Sequence, residues 1–184
     1  MNKAKYHLPG LFEFYGLYSV FLPLYRKHRD WFYDRCDIGS VYGAPADCIW
    51  GGGRVGSGEH SPTEVLELMK EYGISARLTF SNSLLSEEHL SNRKCNALCS
   101  LFESSEPQNG IIICSDMLLE HIKANYPKFY FISSTTKVLT EWEQFINETE
   151  RDDFRYVVPD FRLNKQFGRL SKMTQAQKDK TEFL

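Results

Sequence analysis

The sequence predicts an α/β protein of parallel βα repeats that forms a partial, truncated TIM-type barrel. Three observations point there. Short apolar runs alternate with capped helical segments along the whole chain. At least one run, Ile111-Ile-Ile-Cys114, is apolar at every position, as a strand covered on both faces requires. The chain has 184 residues, 42% of them apolar, against roughly 250 for a closed eight-unit barrel. About five units fit, and the last four residues, 181–184, read as the opening of a sixth strand. With no low-complexity linker, residues 1–184 read as one domain.

The elements follow in order. Leu17, Val20, Phe21, Leu24, Tyr25 and His28 recur at helical spacing and predict a helix over 16–33 that covers the bottom or side of the core, with a kink at Pro23. Residues 37–42 are β-like and end at Gly43, giving the first strand. Ser61-Pro-Thr-Glu64 combines a serine cap, a proline at the first helical position and a capping-box glutamate. The helix that it opens buries Val65, Leu66, Met69 and Tyr72 and stops at Gly73. Residues 76–81 form the second strand. Ser86 caps a helix with Leu90, Ala97, Leu98, Leu101 and Phe102 inward. After the third strand, 111–114, Ser115 caps a helix that buries Leu118, Leu119 and Ile122 and ends before Tyr126-Pro127. Residues 129–132 are the fourth strand. Thr140-Glu-Trp-Glu143 reads as a capping box before Trp142, Phe145 and Ile146. Residues 154–158 are the fifth strand, and 167–180 a weaker helical stretch.

Composition narrows the function classes. Net charge is −2 from 22 basic and 24 acidic side chains, so no global field favours nucleic acid or an anionic membrane, and an anion site must be local. The longest apolar run, 15–25, is too short to span a bilayer and lacks the flanks of a secretion signal, which predicts a cytoplasmic protein. Five cysteines without a CxxC pair suggest neither a disulfide framework nor a zinc ribbon, and no metal site is predicted. Cys95 and Cys99 share a helix face, where the reading is two small half-buried residues. The five histidines are dispersed, and neither HExxH nor GxSxG occurs.

Function in a βα barrel sits at the C-terminal ends of the strands. Those ends offer Arg54, Asn82, Asp116, Ser134, Thr135, Lys137, Asp160 and Arg162. Gly51-Gly-Gly-Arg-Val-Gly56 has the letters of a dinucleotide fingerprint, but the next helix starts about ten residues later and no acid closes the second strand. Its glycines and Arg54 fit a plainer role, backbone amides and a guanidinium fork meeting an anion. Asp116 and Lys137 are the catalytic candidates: Asp116 as a base or else a helix-terminus carboxylate, Lys137 as an anion partner or a Schiff-base lysine. Arg54, Asn82, Asp116, Ser134 and Lys137 are expected to meet in one cleft.

Three blocks also resemble a family. Ala76-Arg-Leu-Thr-Phe-Ser-Asn82, then Asn109-Gly-Ile-Ile-Ile-Cys-Ser-Asp116 with Leu118-Leu-Glu-His-Ile and Tyr126-Pro127, then Phe129-Tyr-Phe-Ile-Ser-Ser-Thr-Thr-Lys137, are similar in order and spacing to the collagenase-like peptidase superfamily of TIM barrels. Its better understood members act in tRNA and ubiquinone hydroxylation. The resemblance implies an enzyme-derived fold. It carries over neither protease activity nor a cofactor, because the family's cluster-binding cysteines lie in a C-terminal part beyond this stretch, and Pro159-Asp-Phe-Arg-Leu-Asn164 stands where the family commonly has Arg-Glu-Leu. Three readings follow: a protein with a small-molecule or anion pocket at the strand ends; an inert protein that docks a partner or a second copy through open sheet edges; or a fragment of a longer iron–sulfur enzyme.

Overall fold

A computed structural model describes residues 4–52, 55–56 and 60–184. The chain runs β1 (Ala4–Pro9), α1 (Tyr15–Lys27), β2 (Cys36–Pro45), β3 (Val55–Gly56), α2 (Pro62–Tyr72), β4 (Ser75–Phe80), α3 (Arg93–Glu103), β5 (Gly110–Ile113), α4 (Asp116–Asn125), β6 (Tyr130–Ser133), α5 (Trp142–Glu150), β7 (Tyr156–Val157), α6 (Phe167–Leu170) and α7 (Gln175–Asp179). Strands β1, β2, β4, β5, β6 and β7 lie side by side in sequence order, every pair parallel, and the two-residue β3 adds to β2. The sheet curls into a half-barrel with helices on its convex side, the α/β architecture that the alternation predicts. Among the described residues no helix is long and apolar enough to cross a membrane.

The five predicted strands pair in the predicted order. One strand escaped sequence reasoning. β1 is an exposed edge, and Tyr6-His-Leu-Pro9 has no apolar run to announce it. Its presence changes the role of α1, which is the first βα crossover and not a cover for the bottom of the core. The helix ends at Lys27, and Arg29–Trp31 forms a separate 3-10 turn. The fifth strand shrinks from the predicted 154–158 to Tyr156–Val157. Residues 181–184 contribute one parallel bridge, Thr181 to Val157, flanked by Val157 N to Lys180 O at 2.7 Å and Glu182 N to Val157 O at 3.1 Å.

Local chemistry explains the helices. At α2 the Ser61 hydroxyl accepts from Glu64 N at 3.3 Å while Glu64 accepts from Ser61 N at 2.8 Å, and Gly73 closes the helix at φ +64°, a left-handed turn that costs glycine little. Ser115 caps α4 as expected. Two caps differ. Ser86 opens a 3-10 segment, Glu87–Ser91, and α3 starts afresh at Asn92, whose side chain accepts from Cys95 N. On this helix Cys95 and Cys99 are buried with Leu98 and Phe102, and Ala97 is exposed. At α5 the Thr140 capping box does not form; Glu141 is the cap, without a side-chain bond.

The apolar core lies between sheet and helices. Val41, Ala76, Leu78, Phe80, Ile111, Ile113, Phe131 and Val157 from the strands meet Val65, Met69, Leu98, Phe102, Leu118, Leu119, Ile122 and Phe145 from the helices. The opposite, concave face is therefore built from the intervening residues, which are largely polar.

Candidate functional site

Period-two alternation along β4 sends Ser75, Arg77 and Thr79 to the concave face. Arg77 is 2% exposed. Its two terminal nitrogens donate to both oxygens of Glu182 at 2.7 and 2.8 Å, and its Nε donates to the Tyr130 hydroxyl at 3.0 Å. Room for the Tyr130 ring comes from Gly110, where a Cβ would stand 2.6 Å from it. Burial alone would lower the Arg77 pKa, but the bonds from Glu182 outweigh it and raise the pKa. A bidentate fork in a water-poor interior is the strong form of this contact.

Glu182 also lies 3.2 Å from His7 Nε2, and His7 Nδ1 is 2.8 Å from the Ser40 hydroxyl. Burial, helped by Arg77, pushes the His7 pKa down to about 4, with Glu182 opposing only in part. The imidazole is thus neutral near pH 7. The Nε2–H tautomer satisfies the chain, donating to Glu182 while Nδ1 accepts from Ser40. Serine, histidine and carboxylate in a row are the components of a nucleophilic relay, yet Ser40 is fully buried and its hydroxyl is taken up by His7. The string is a sealed floor that ties β1, β2, β4, β6 and the 181–184 segment together across the half-barrel.

Above this floor lies the C-terminal rim. Thr79 is 6% exposed, and among the described residues its hydroxyl has no hydrogen-bond partner. Ser81 and Ser134 hydroxyls approach to 3.4 Å, and Ser134 meets the Thr136 hydroxyl at 2.8 Å. Thr135 donates to Pro159 O at 3.4 Å. Asp160 caps its own turn by accepting from Arg162 N at 2.9 Å and pairs with the Arg162 side chain at 3.3 Å. Gly52, at φ +70°, lets the first loop press on Ser81 and Asn82, where any Cβ would be 3.0 Å from backbone atoms.

The sequence-predicted residues divide into separate groups. Arg54 lies outside the described residues. Asn82 is a loop staple, donating to Ile49 O at 2.8 Å and accepting from Leu84 N at 2.9 Å. Asp116 and Lys137 do meet, at 3.3 Å, but on the helix side of the sheet. There Lys137 binds Glu148 of α5 at 2.7 Å, Arg151 binds Asp116 at 3.0 Å and Asp153 at 3.0 Å, and both cations sit over the Phe154 ring. Burial pushes the Asp116 carboxyl up, but Lys137 and Arg151 overcome it and hold the pKa below its ordinary value. Such a carboxylate is a poor base. The Lys137 backbone N–H donates to Ser134 O at 3.0 Å, but among the described residues no side-chain hydrogen bond or ion pair joins this seam to the side chains of Asn82 or Ser134.

Arg77, Glu182, His7 and Thr79 were absent from the sequence-based set. One signal existed, since an arginine in the middle of the apolar strand Ala76–Phe80 must find a buried partner. Among the described residues no group of three or more histidine, cysteine or acidic side chains is placed to hold a metal ion. Comparison with protein-family models, with curated proteins and with solved structures finds no match.

Proposed function

We propose that the chain is an enzyme-derived, cytoplasmic barrel-like protein that binds a small anionic ligand at the C-terminal rim of its half-barrel, above the Arg77–Glu182 floor. One observation carries the reading: among the described residues the buried Thr79 hydroxyl has no partner. Leaving such a group unpaired costs about 1–3 kcal/mol, and a ligand oxygen would recover that cost. Ser81 and Ser134 flank it with further hydroxyls, and the glycine-rich loop before Arg54 approaches the same strand end. The polar strand ends and the resemblance to collagenase-like peptidase barrels support the same reading. No reaction is assigned: the Ser40 hydroxyl is held by His7, and Asp116 and Lys137 are held by ion pairs.

Thr79→Val tests it by calorimetry with inorganic phosphate and small carboxylates as probes. The variant removes an unpaired hydroxyl, so the free protein keeps or gains stability while affinity falls roughly 3- to 10-fold. Equal affinity for both proteins, or no saturable binding to the wild type, overturns the reading.

A second reading, docking onto a second copy of this chain, has its own observation. α1 buries Tyr18 and Leu22 yet presents Leu17 and Val20 outward at 60% and 61% exposure, with Phe14 and Leu24 beside them. Large exposed apolar stripes mark interaction surfaces, and β1 offers a neighbouring sheet edge. On this reading, light scattering at micromolar concentration should show a dimer that Leu17→Glu dissociates; a monomeric wild type removes it.

A further inference from the structure

Away from the rim, two cysteines from distant parts of the sequence meet in the core. Cys48 lies in the turn after β2, where its backbone N–H donates to Pro45 O and its carbonyl accepts from Gly51 N. Cys95 occupies the first turn of α3, held there by the Asn92 cap. Their sulfurs are 3.2 Å apart with no third group between them, and both residues are buried. Neither the floor nor the rim uses them. We propose that Cys48 and Cys95 form a reversible dithiol/disulfide pair, oxidised by hydrogen peroxide, that fastens the glycine-rich first loop to α3.

The local chemistry fits that role. The Cys48 thiol, together with the backbone N–H groups of Trp50 and Ile49, stabilises a Cys95 thiolate against burial and brings its pKa down to about 7. Cys95 also stands at a helix N-terminus, where the peptide dipoles favour negative charge. Cys48 is pushed the other way, first by its bond to Cys95 and then by burial, so it remains a thiol. Attack and resolution are thereby divided between the two. The Cys95 thiolate attacks one peroxide oxygen, the O–O bond breaks, and the departing hydroxide takes the proton that Cys95 had released, giving a sulfenic acid and water. The Cys48 sulfur then attacks the Cys95 sulfur, the S–O bond breaks, and the hydroxyl leaves as a second water with the Cys48 proton. Two thiols are oxidised by two electrons and one peroxide is reduced to two waters.

The bond would close a loop 47 residues long and tie down the turn that carries Trp50. That side chain donates to His89 O at 2.9 Å, and the Trp50 carbonyl accepts from Asn82 N at 3.2 Å, so the turn supports the end of β4. Cys99, one helical turn beyond Cys95, is an internal comparison; it is buried, and burial pushes its pKa up.

Mass spectrometry on the full chain after one equivalent of hydrogen peroxide decides the matter. The expected result is loss of two hydrogens, a peptide linking Cys48 to Cys95, and a thermal midpoint raised on the order of 5–15 °C, all reversed by a phosphine reductant. In Cys48→Ser the reaction should stop at a Cys95 sulfenic acid that dimedone traps. A wild-type protein that keeps both thiols after this treatment, or that links Cys99 or a second molecule instead, overturns the proposal. The wild-type measurement decides even if the variant does not fold.

Discussion

Replacing Glu182 by alanine leaves Arg77 as an uncompensated cation 2% exposed in the middle of the concave face. Two guanidinium bonds at 2.7 and 2.8 Å and the His7 contact at 3.2 Å are lost together, while the Tyr130 hydroxyl stays. Removing one partner of a buried ion pair costs about 3–5 kcal/mol, most of it the desolvation of the charge left behind. That is a large share of the roughly 5–15 kcal/mol available to a domain. For a chain of this size it should lower Tm by roughly 6–15 °C. Urea unfolding at pH 7 measures it, with Arg77→Met/Glu182→Ala as the control that removes the buried charge as well. The double variant should recover most of the loss, because apolar replacement of a buried pair is often close to neutral. A Glu182→Ala cost below about 1 kcal/mol, or a double variant no better than the single one, would refute the claim that this pair closes the floor of the half-barrel.

Acid should weaken the same floor. His7 titrates at about 4 when folded against an ordinary 6.5, so the unfolded chain binds the proton first. Its stabilising contribution is complete above about 6.5 and disappears as pH falls towards 4, on the order of 2–3 kcal/mol. Urea midpoints from pH 7 to 4 check it, and a His7→Gln variant with the same pH slope would assign the effect elsewhere. Lys137→Ala should cost about 1–3 kcal/mol, since buried Glu148 loses its nearest cation at 2.7 Å, and should leave phosphate affinity at the wild-type value; a large affinity loss by calorimetry would return Lys137 to the site.

Much of the fold was legible because its signals are local. Ser61 to Glu64, Ser115 and the apolar run 111–113 each carry their own instruction, and five strands with their order followed from them. β1 was missed because an edge strand such as Ala4–Pro9 needs no continuous apolar run; what defines it is pairing with β2, 32 residues later at the Ala4–Cys36 register. Thr140 is likewise not the cap of α5, which begins after Glu141 without a side-chain bond and buries Phe145 and Glu148. For the candidate site, position beyond a strand end did not fix the direction of the side chain. Lys137 and Asp116 stand beyond strand ends, but the 3-10 turn Thr135–Lys137 carries the lysine to the helix side. The Arg77–Glu182 pair spans 105 residues, a separation that no local pattern encodes.

The most direct test of ligand binding at the rim is a backbone-amide NMR titration of the wild-type chain with inorganic phosphate and with small carboxylates. The account predicts saturable shifts centred on Thr79, Ser81 and Ser134, with the charged seam around Lys137 and Arg151 undisturbed. Shifts that do not saturate, or that gather instead at the groove between α5 and the last helices around Trp142, Arg169 and Lys172, would contradict it.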